Sequence, residues 1–220
     1  MPDQPFLRFD WIADNLGEIG FRTLQHLEIT AIAMVIGFAL SMALALLARR
    51  WIVLRGPTIG ITGMLYAIPS LAAFGLLIPF TGLGLLTAEI AMVSYTLLIL
   101  IRNILAGLDG IAPEILEAAD GMGLTAGQRL WRVELPLALP VIIAGLRIAT
   151  VTTIGLVTVT SFIGEGGLGY FILNIGISRF FPTAIYVGAL LSVVLAVAAD
   201  LLFVWLQRAL TPWSRARATV

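Results

Sequence analysis

Apolar and polar positions along this chain segregate on the scale of whole membrane spans. Five long apolar segments run from about Leu27 to Ala48, Ile59 to Phe80, Leu85 to Leu108, Leu137 to Ile163 and Ala184 to Leu206. Each approaches the ~20 residues that cross a bilayer as a helix. Only a few residues around Gly82 and Gly84 separate the second from the third, which predicts a tight antiparallel hairpin. Ahead of the first span, Phe6, Phe9, Ile12, Leu16 and Ile19 recur at three- or four-residue steps, interleaved with Asp10, Asp14 and Glu18. That period predicts an amphipathic helix lying on the membrane surface. The pattern divides the chain into an interfacial segment (1–25), a transmembrane domain (26–210) and a tail (211–220). The expected fold class is all-α, a polytopic membrane protein of about five transmembrane helices.

Within the spans, small residues recur every fourth position: Gly37, Ser41 and Ala45 on the first, Ala91 and Tyr95 with Ser94 nearby on the third. Such faces let helices approach closely. Pro69 and Pro79, with Ser70 beside the first, predict a kink in the second span, whose freed carbonyl neighbouring helices or water can satisfy. A broken helix of this kind either borders a substrate path or is a packing adjustment. Arg102, Arg147, Asp200 and Glu89 lie at membrane depth, where an unpaired ion is costly. Asp200 is the natural partner of Arg102 or Arg147, either as a gate or as a clamp between helices.

The longest polar interruption covers residues 109–136 and has helix chemistry of its own. Pro113 suits a first helical turn, where its missing N–H costs nothing, and Glu114 and Glu117 follow near the positive helix end. Gly121 or Gly123 can stop that helix in a left-handed residue. Thr125 and Gln128 form a capping box for a second helix carrying Leu130, Trp131 and Val133, and Pro136 ends it or starts the next. A second interruption, Ser161 to Phe171, holds Gly164, Gly166, Gly167 and Gly169 and predicts a re-entrant or surface turn.

Composition agrees with lipid as the solvent: 60% apolar residues, 12% charged, and a mean hydropathy of +1.02. Zero net charge argues against a nucleic-acid partner, and the absence of cysteine removes disulfide and thiol chemistry. The acidic start, MPDQPFLRFDW, shows no basic region of a cleavable signal peptide. The chain also contains no lysine, so it has no P-loop of its own. If ATP drives this protein, another chain binds it.

Arginine placement predicts orientation. Arg49, Arg50, Arg55, Arg129, Arg132, Arg208, Arg215 and Arg217 fall on one side of alternating spans. Arg8, Arg22 and Arg179 fall on the other, with Asp3, Asp10, Asp14, Glu18 and Glu165. This expects the N-terminus outside, the C-terminus inside and the 109–136 loop in the cytoplasm.

The succession Glu-Ala-Ala, three residues, Gly, nine residues, an aliphatic residue, one residue, Leu-Pro falls on Glu117, Ala118, Ala119, Gly123, Val133, Leu135 and Pro136. It resembles the EAA loop of permease subunits of bacterial ABC importers, with Val133 where the family often has Ile. The wider text resembles the permeases for glycine betaine, choline, carnitine or proline betaine. The stretches are Ala67 to Ala72, Ile101-Arg102-Asn103 leading to Gly107, and Glu117 to Thr150, above all Glu134 to Val151. Glu165 departs from that family's usual small residue.

The resemblance implies the type I (MetI-like) importer permease fold in a bacterial cytoplasmic membrane, surrounded by membrane lipid. It makes the loop the coupling helix that docks on a dimer of ABC ATPases, which would hold the ATP and Mg, leaving no cofactor and no enzymatic role here. It implies two further partners. One is a second permease, the same or a related chain. The other is an extracytoplasmic solute-binding protein meeting the turn of Gly164, Glu165, Gly166 and Gly167. A quaternary ammonium is held by aromatic faces; Tyr66, Phe74, Tyr95 and Phe162, with Pro69 and Ser70, are candidates to line a path, although aromatics at helical spacing in lipid more often serve packing. A permease for methionine or another small nutrient shares the fold and the loop. A five-span secondary transporter would have no use for the loop. An intramembrane enzyme lacks a catalytic set, and His26, the single histidine, reads as interfacial.

Overall fold

The computed structural model describes residues 7–214, so Asp3, Phe6, Arg215 and Arg217 of the patterns above lie outside the described residues. All regular elements described are helical. In chain order they are α1 (Phe9–Asp14), α2 (Leu16–Arg50), α3 (Ile52–Ala67), α4 (Ser70–Thr81), α5 (Leu85–Asp109), α6 (Pro113–Gly121), α7 (Ala126–Arg129), α8 (Leu135–Val157) and α9 (Pro182–Leu210). A π-helical turn, Leu130–Glu134, joins α7 to α8. A 3-10 turn, Thr158–Ile163, and a π-helical segment, Phe171–Ile177, flank the glycine turn.

Among the described residues, α2, α5, α8 with its extensions, and α9 are long and apolar enough to cross a membrane, and the pair α3–α4 makes a fifth span if counted as one. The expected spans are thus present, with two differences. The first extends N-terminally to Leu16: the amphipathic segment is helical on both sides of a break at Asn15, as α1 and as the start of α2. Phe9 and Leu16 of its apolar stripe stay exposed, whereas Trp11 packs inward. Trp11 meets Phe181 edge-on at 5.2 Å and Phe171 at 6.0 Å. The second difference is sharper than a kink. α3 and α4 are separate helices turned by 99°. Pro69 pushes the residue before it out of the helical region, and Ile68 is accordingly extended, at φ −67° and ψ 125°.

The interior is built where small residues let helices meet. Gly37, Ser41 and Ala45 are all buried, and a Cβ on Gly37 would lie 2.0 Å from Thr96 Oγ1 of α5. Two turns further along α5, a Cβ on Gly145 of α8 would lie 2.5 Å from that of Asn103. Met34, Leu100, Ile101, Ile104, Leu108 and Ile142 fill one end of this α2–α5–α8 core. Ile29, Ala33, Phe74, Met92, Val157 and Ile163 fill the other. Outside, Val35, Leu40, Leu190, Val193 and Leu201 are exposed. An apolar exterior of this kind is complementary to lipid or to further protein, not to water.

Candidate functional site

The segment from Pro113 to Pro136 is a hairpin of two short helices, and local bonds hold it. Pro113 opens α6 in its first turn, with Glu114 beside it. α6 ends where Leu124 N–H donates to Ala119 O at 3.3 Å and Gly123 takes φ +77°, a conformation in which an L side chain is strained. Thr125 caps α7 reciprocally: Gln128 N–H donates to Thr125 Oγ1 at 3.3 Å, and Thr125 N–H donates to Gln128 Oε1 at 3.0 Å. Pro136 lies in the first turn of α8, so it starts that helix. Its missing N–H and its ring both disfavour a regular α turn just upstream. The chain widens there, and Leu135 N–H reaches back to Leu130 O.

Glu117, Ala118 and Gly123 are exposed on this hairpin, Ala119 is buried, and Val133, Leu135 and Pro136 are half-buried against the bundle. The resemblance therefore divides into an outward half and an anchoring half. Met122 and Trp131 stand out beside them, 73% and 72% exposed. Two large apolar side chains on a polar loop form a surface suited to a partner.

A chain of alternating charges fastens the hairpin to the spans. Glu134 is 2% exposed and sits between two arginines. Its Oε1 accepts from Arg129 Nε at 2.9 Å, and its Oε2 accepts from Arg49 at the end of α2. Arg129 also donates to Asp120 of α6. Arg49 lies 3.8 Å from Asp109 at the end of α5, and Asp109 in turn accepts from Arg55 of α3. A buried carboxylate is tolerable only when paired in this way.

Within the membrane-depth set, Arg147 of α8 and Asp200 of α9 form a two-point pair at 2.8 and 3.0 Å. Each side chain is about a third exposed, at 33% and 35%, and the pair opens on a cavity of about 620 Å³ lined also by Ala144, Ile148, Thr152 and Val197. Arg102 is exposed on α5 and makes no ion pair among the described residues. Tyr66 and Tyr95 meet edge-on at 6.2 Å beside Pro69 and Ser70. The Tyr95 hydroxyl donates to Ile68 O at 2.7 Å, satisfying a carbonyl at the helix break. Next to it is an apolar chamber of about 250 Å³. Phe162 is exposed on the 3-10 turn and is not part of this pair, and Phe74 is a core residue.

At the opposite end, Gly164 is exposed, Glu165 half-buried, and Gly166 and Gly167 buried. A Cβ on Gly167, at φ +46°, would lie 2.8 Å from His26 Cα, so this glycine serves close packing and offers no outward surface. Glu165 accepts from Gln25 at 2.8 Å. His26 is not interfacial. It is fully buried, with Nε2 3.0 Å from Ile154 O and Nδ1 3.3 Å from the Leu168 amide. The turn folds back over α2, and that return encloses the ring.

Residues 35–212 match the profile of the binding-protein-dependent transport system inner membrane component family. The chain belongs to that family. Members sit in the inner membrane, in agreement with the spans found here. The chain is 37% identical over 202 residues to the choline transport system permease protein OpuBB of Bacillus subtilis, covering 92% of this chain and 93% of that one. It is 40% identical over 207 residues to the osmoprotectant import permease protein OsmW of Salmonella typhimurium, covering 92% and 96%. Among solved structures, the inward-facing MetNI methionine ABC transporter matches with a TM-score of 0.76 at 23% identity, covering 86% of this chain and 94% of that one. An amino acid ABC transporter matches with a TM-score of 0.73 at 18% identity, covering 92% and 99%. At those identities the structural likeness establishes the fold.

For this inner membrane component, the sequence motif marked the hairpin but not the residues that hold it. Arg49, Asp109, Arg129 and Glu134 come from separate elements, and a motif written along the chain does not join them. The only local hint was that Glu134 is an acid in an otherwise apolar approach to Pro136.

Proposed function

We propose that this chain is the permease subunit of an ATP-driven, binding-protein-dependent importer of quaternary-amine osmoprotectants. Its N-terminus lies outside, its C-terminus inside, and the α6–α7 hairpin docks on a cytoplasmic ATPase. The observation that carries the coupling role is the hairpin itself: outward Glu117, Ala118, Gly123, Met122 and Trp131 on a body pinned through Glu134 to α2 and, by Arg49, to α5. A lever must be held firmly behind its contact surface, and the ion pairs of Glu134 support that reading. The relatives named for choline and for osmoprotectants support the substrate class.

Two ATPases, a second permease and an extracytoplasmic solute-binding protein complete the assembly. ATP and Mg belong to the ATPases, since a chain without lysine has no P-loop. The solute-binding protein meets the glycine end at Gly164 and Glu165, and selectivity resides mainly in that protein. Closure of the ATPases moves the hairpin and turns the path between α3–α4, α5 and α8 from inward- to outward-facing.

The test is uptake of radiolabelled glycine betaine into proteoliposomes holding the affinity-purified complex, with choline, carnitine and methionine as competitors. Competition by choline or carnitine, ATP dependence and a co-purifying ATPase are expected. Competition by methionine alone would move the substrate to amino acids, and uptake driven by an ion gradient without ATP would remove the importer reading. Gly123→Val and Glu117→Lys are expected to abolish uptake while membrane insertion persists; normal transport by both would remove the coupling role.

A further inference from the structure

Between the last turn of α2 and the first turn of α7 lies a cavity of about 440 Å³, lined in part by Arg49, Arg50, Arg129, Gly127 and Glu134. Glu134, Asp109 and Asp120 engage Arg49, Arg55 and Arg129. Arg50 has no carboxylate partner among the described residues, and its guanidinium stacks on Trp51, 5.5 Å from the ring centroid. α2 ends at Arg50, so this cation stands where a span leaves the hydrocarbon. Beside it, Trp51, Ile52 and Val53 are 51%, 71% and 81% exposed, and Leu47 of the preceding turn is 41% exposed.

An uncompensated arginine over an interfacial tryptophan, next to an exposed apolar strip, is complementary to a molecule with an anionic head and a hydrocarbon body. We infer that this cavity binds the phosphate headgroup of an anionic phospholipid, with its acyl chains along Leu47, Trp51 and Val53. The inference takes the cytoplasmic orientation of the hairpin from the function proposed above. Arg50 holds the phosphate, and Arg129 of α7 lines the same cavity. The lipid then bridges the α2–α3 corner and the base of the hairpin, next to the buried Glu134.

The experiment is mass spectrometry of the intact affinity-purified complex in mild detergent, after adding back phosphatidylglycerol or phosphatidylcholine of identical acyl chains. The wild type should retain phosphatidylglycerol preferentially and release it as NaCl rises. Arg50→Gln should lower that retention about fivefold, and Arg50→Lys should restore most of it. Equal retention of the two lipids by the wild type, or of phosphatidylglycerol by wild type and Arg50→Gln, would overturn the proposal. So would displacement by an equal concentration of inorganic phosphate, which would make this a free-anion site. Loss of an ATPase from Arg50→Gln with phosphatidylglycerol still bound would reassign the cavity to a subunit contact. Should Arg50→Gln not fold, the lipid preference and salt dependence of the wild type decide. A wild-type complex that binds phosphatidylglycerol but brings down no ATPase counts against the proposed function and leaves the lipid site standing.

Discussion

His26 accepts from the Leu168 amide through Nδ1, so its ring proton sits on Nε2, which donates to Ile154 O at 3.0 Å. One side chain thereby ties α2 to α8 and to the glycine turn. His26→Phe keeps an aromatic ring but strands both backbone groups, at about 1–3 kcal/mol each. Gly167→Ala attacks the same contact from the other side, because its Cβ would lie 2.8 Å from His26 Cα. Both variants should lower the melting temperature of the detergent-solubilised protein by several degrees; unchanged melting in both would show that the contact carries no stability. Arg147 and Asp200 call for a different measurement. Removing either partner leaves a charge at membrane depth, at about 3 kcal/mol. Arg147→Ala and Asp200→Asn should each destabilise, and the double variant should lose less than the sum of the singles. Strict additivity would mean that the pair seen at 2.8 and 3.0 Å is not an energetic partnership.

Between α3 and α4 the chain gives up helical hydrogen bonding at Ile68 and Pro69 and turns by 99°. Non-helical backbone at this depth survives only where protein satisfies it. Tyr95 does so with its hydroxyl on Ile68 O, while its ring packs on Tyr66 at 6.2 Å. Tyr95→Phe removes the bond and keeps the ring, at about 1 kcal/mol. On the path proposed above, a loosened corner beside the apolar chamber is expected to lower uptake by a larger fraction than stability. Full uptake with the stability loss alone would make the corner purely structural.

Across the whole molecule, the alternating series Asp120, Arg129, Glu134, Arg49, Asp109, Arg55 runs from α6 to the ends of α2, α3 and α5. In the coupling role proposed above, this series is what would carry a motion of the hairpin to several spans at once. Glu134→Gln leaves Arg49 and Arg129 facing each other around a buried neutral amide. Breaking a buried pair costs about 3–5 kcal/mol. Uptake should fall at least tenfold, with faster amide hydrogen exchange across α6 and α7. The charge exchange Arg49→Glu with Glu134→Arg should recover part of it. No gain from the exchange over the singles would mean that the two side chains act independently.

The sequence by itself determined whatever depends on neighbours within a helical turn or two. Span number and position are visible because solvation by lipid acts on every residue of a segment; α5 is Leu85–Asp109 where the pattern predicted Leu85 to Leu108. The hairpin is visible because Pro113, Gly123 and the Thr125–Gln128 box make bonds three to five residues long. Tertiary structure alone decided which side chains meet. Arg147 rather than Arg102 took Asp200, His26 went inside, and Gly167 became a packing residue rather than an outward one. The contact between Arg49 and Glu134 spans 85 positions and that between His26 and Ile154 spans 128. Arg49 and Arg50 are the same residue in consecutive positions, and no local pattern tells them apart. A rotation of about 100° on the helix does: it turns one into the bundle to hold Glu134 and leaves the other on Trp51 at the membrane edge.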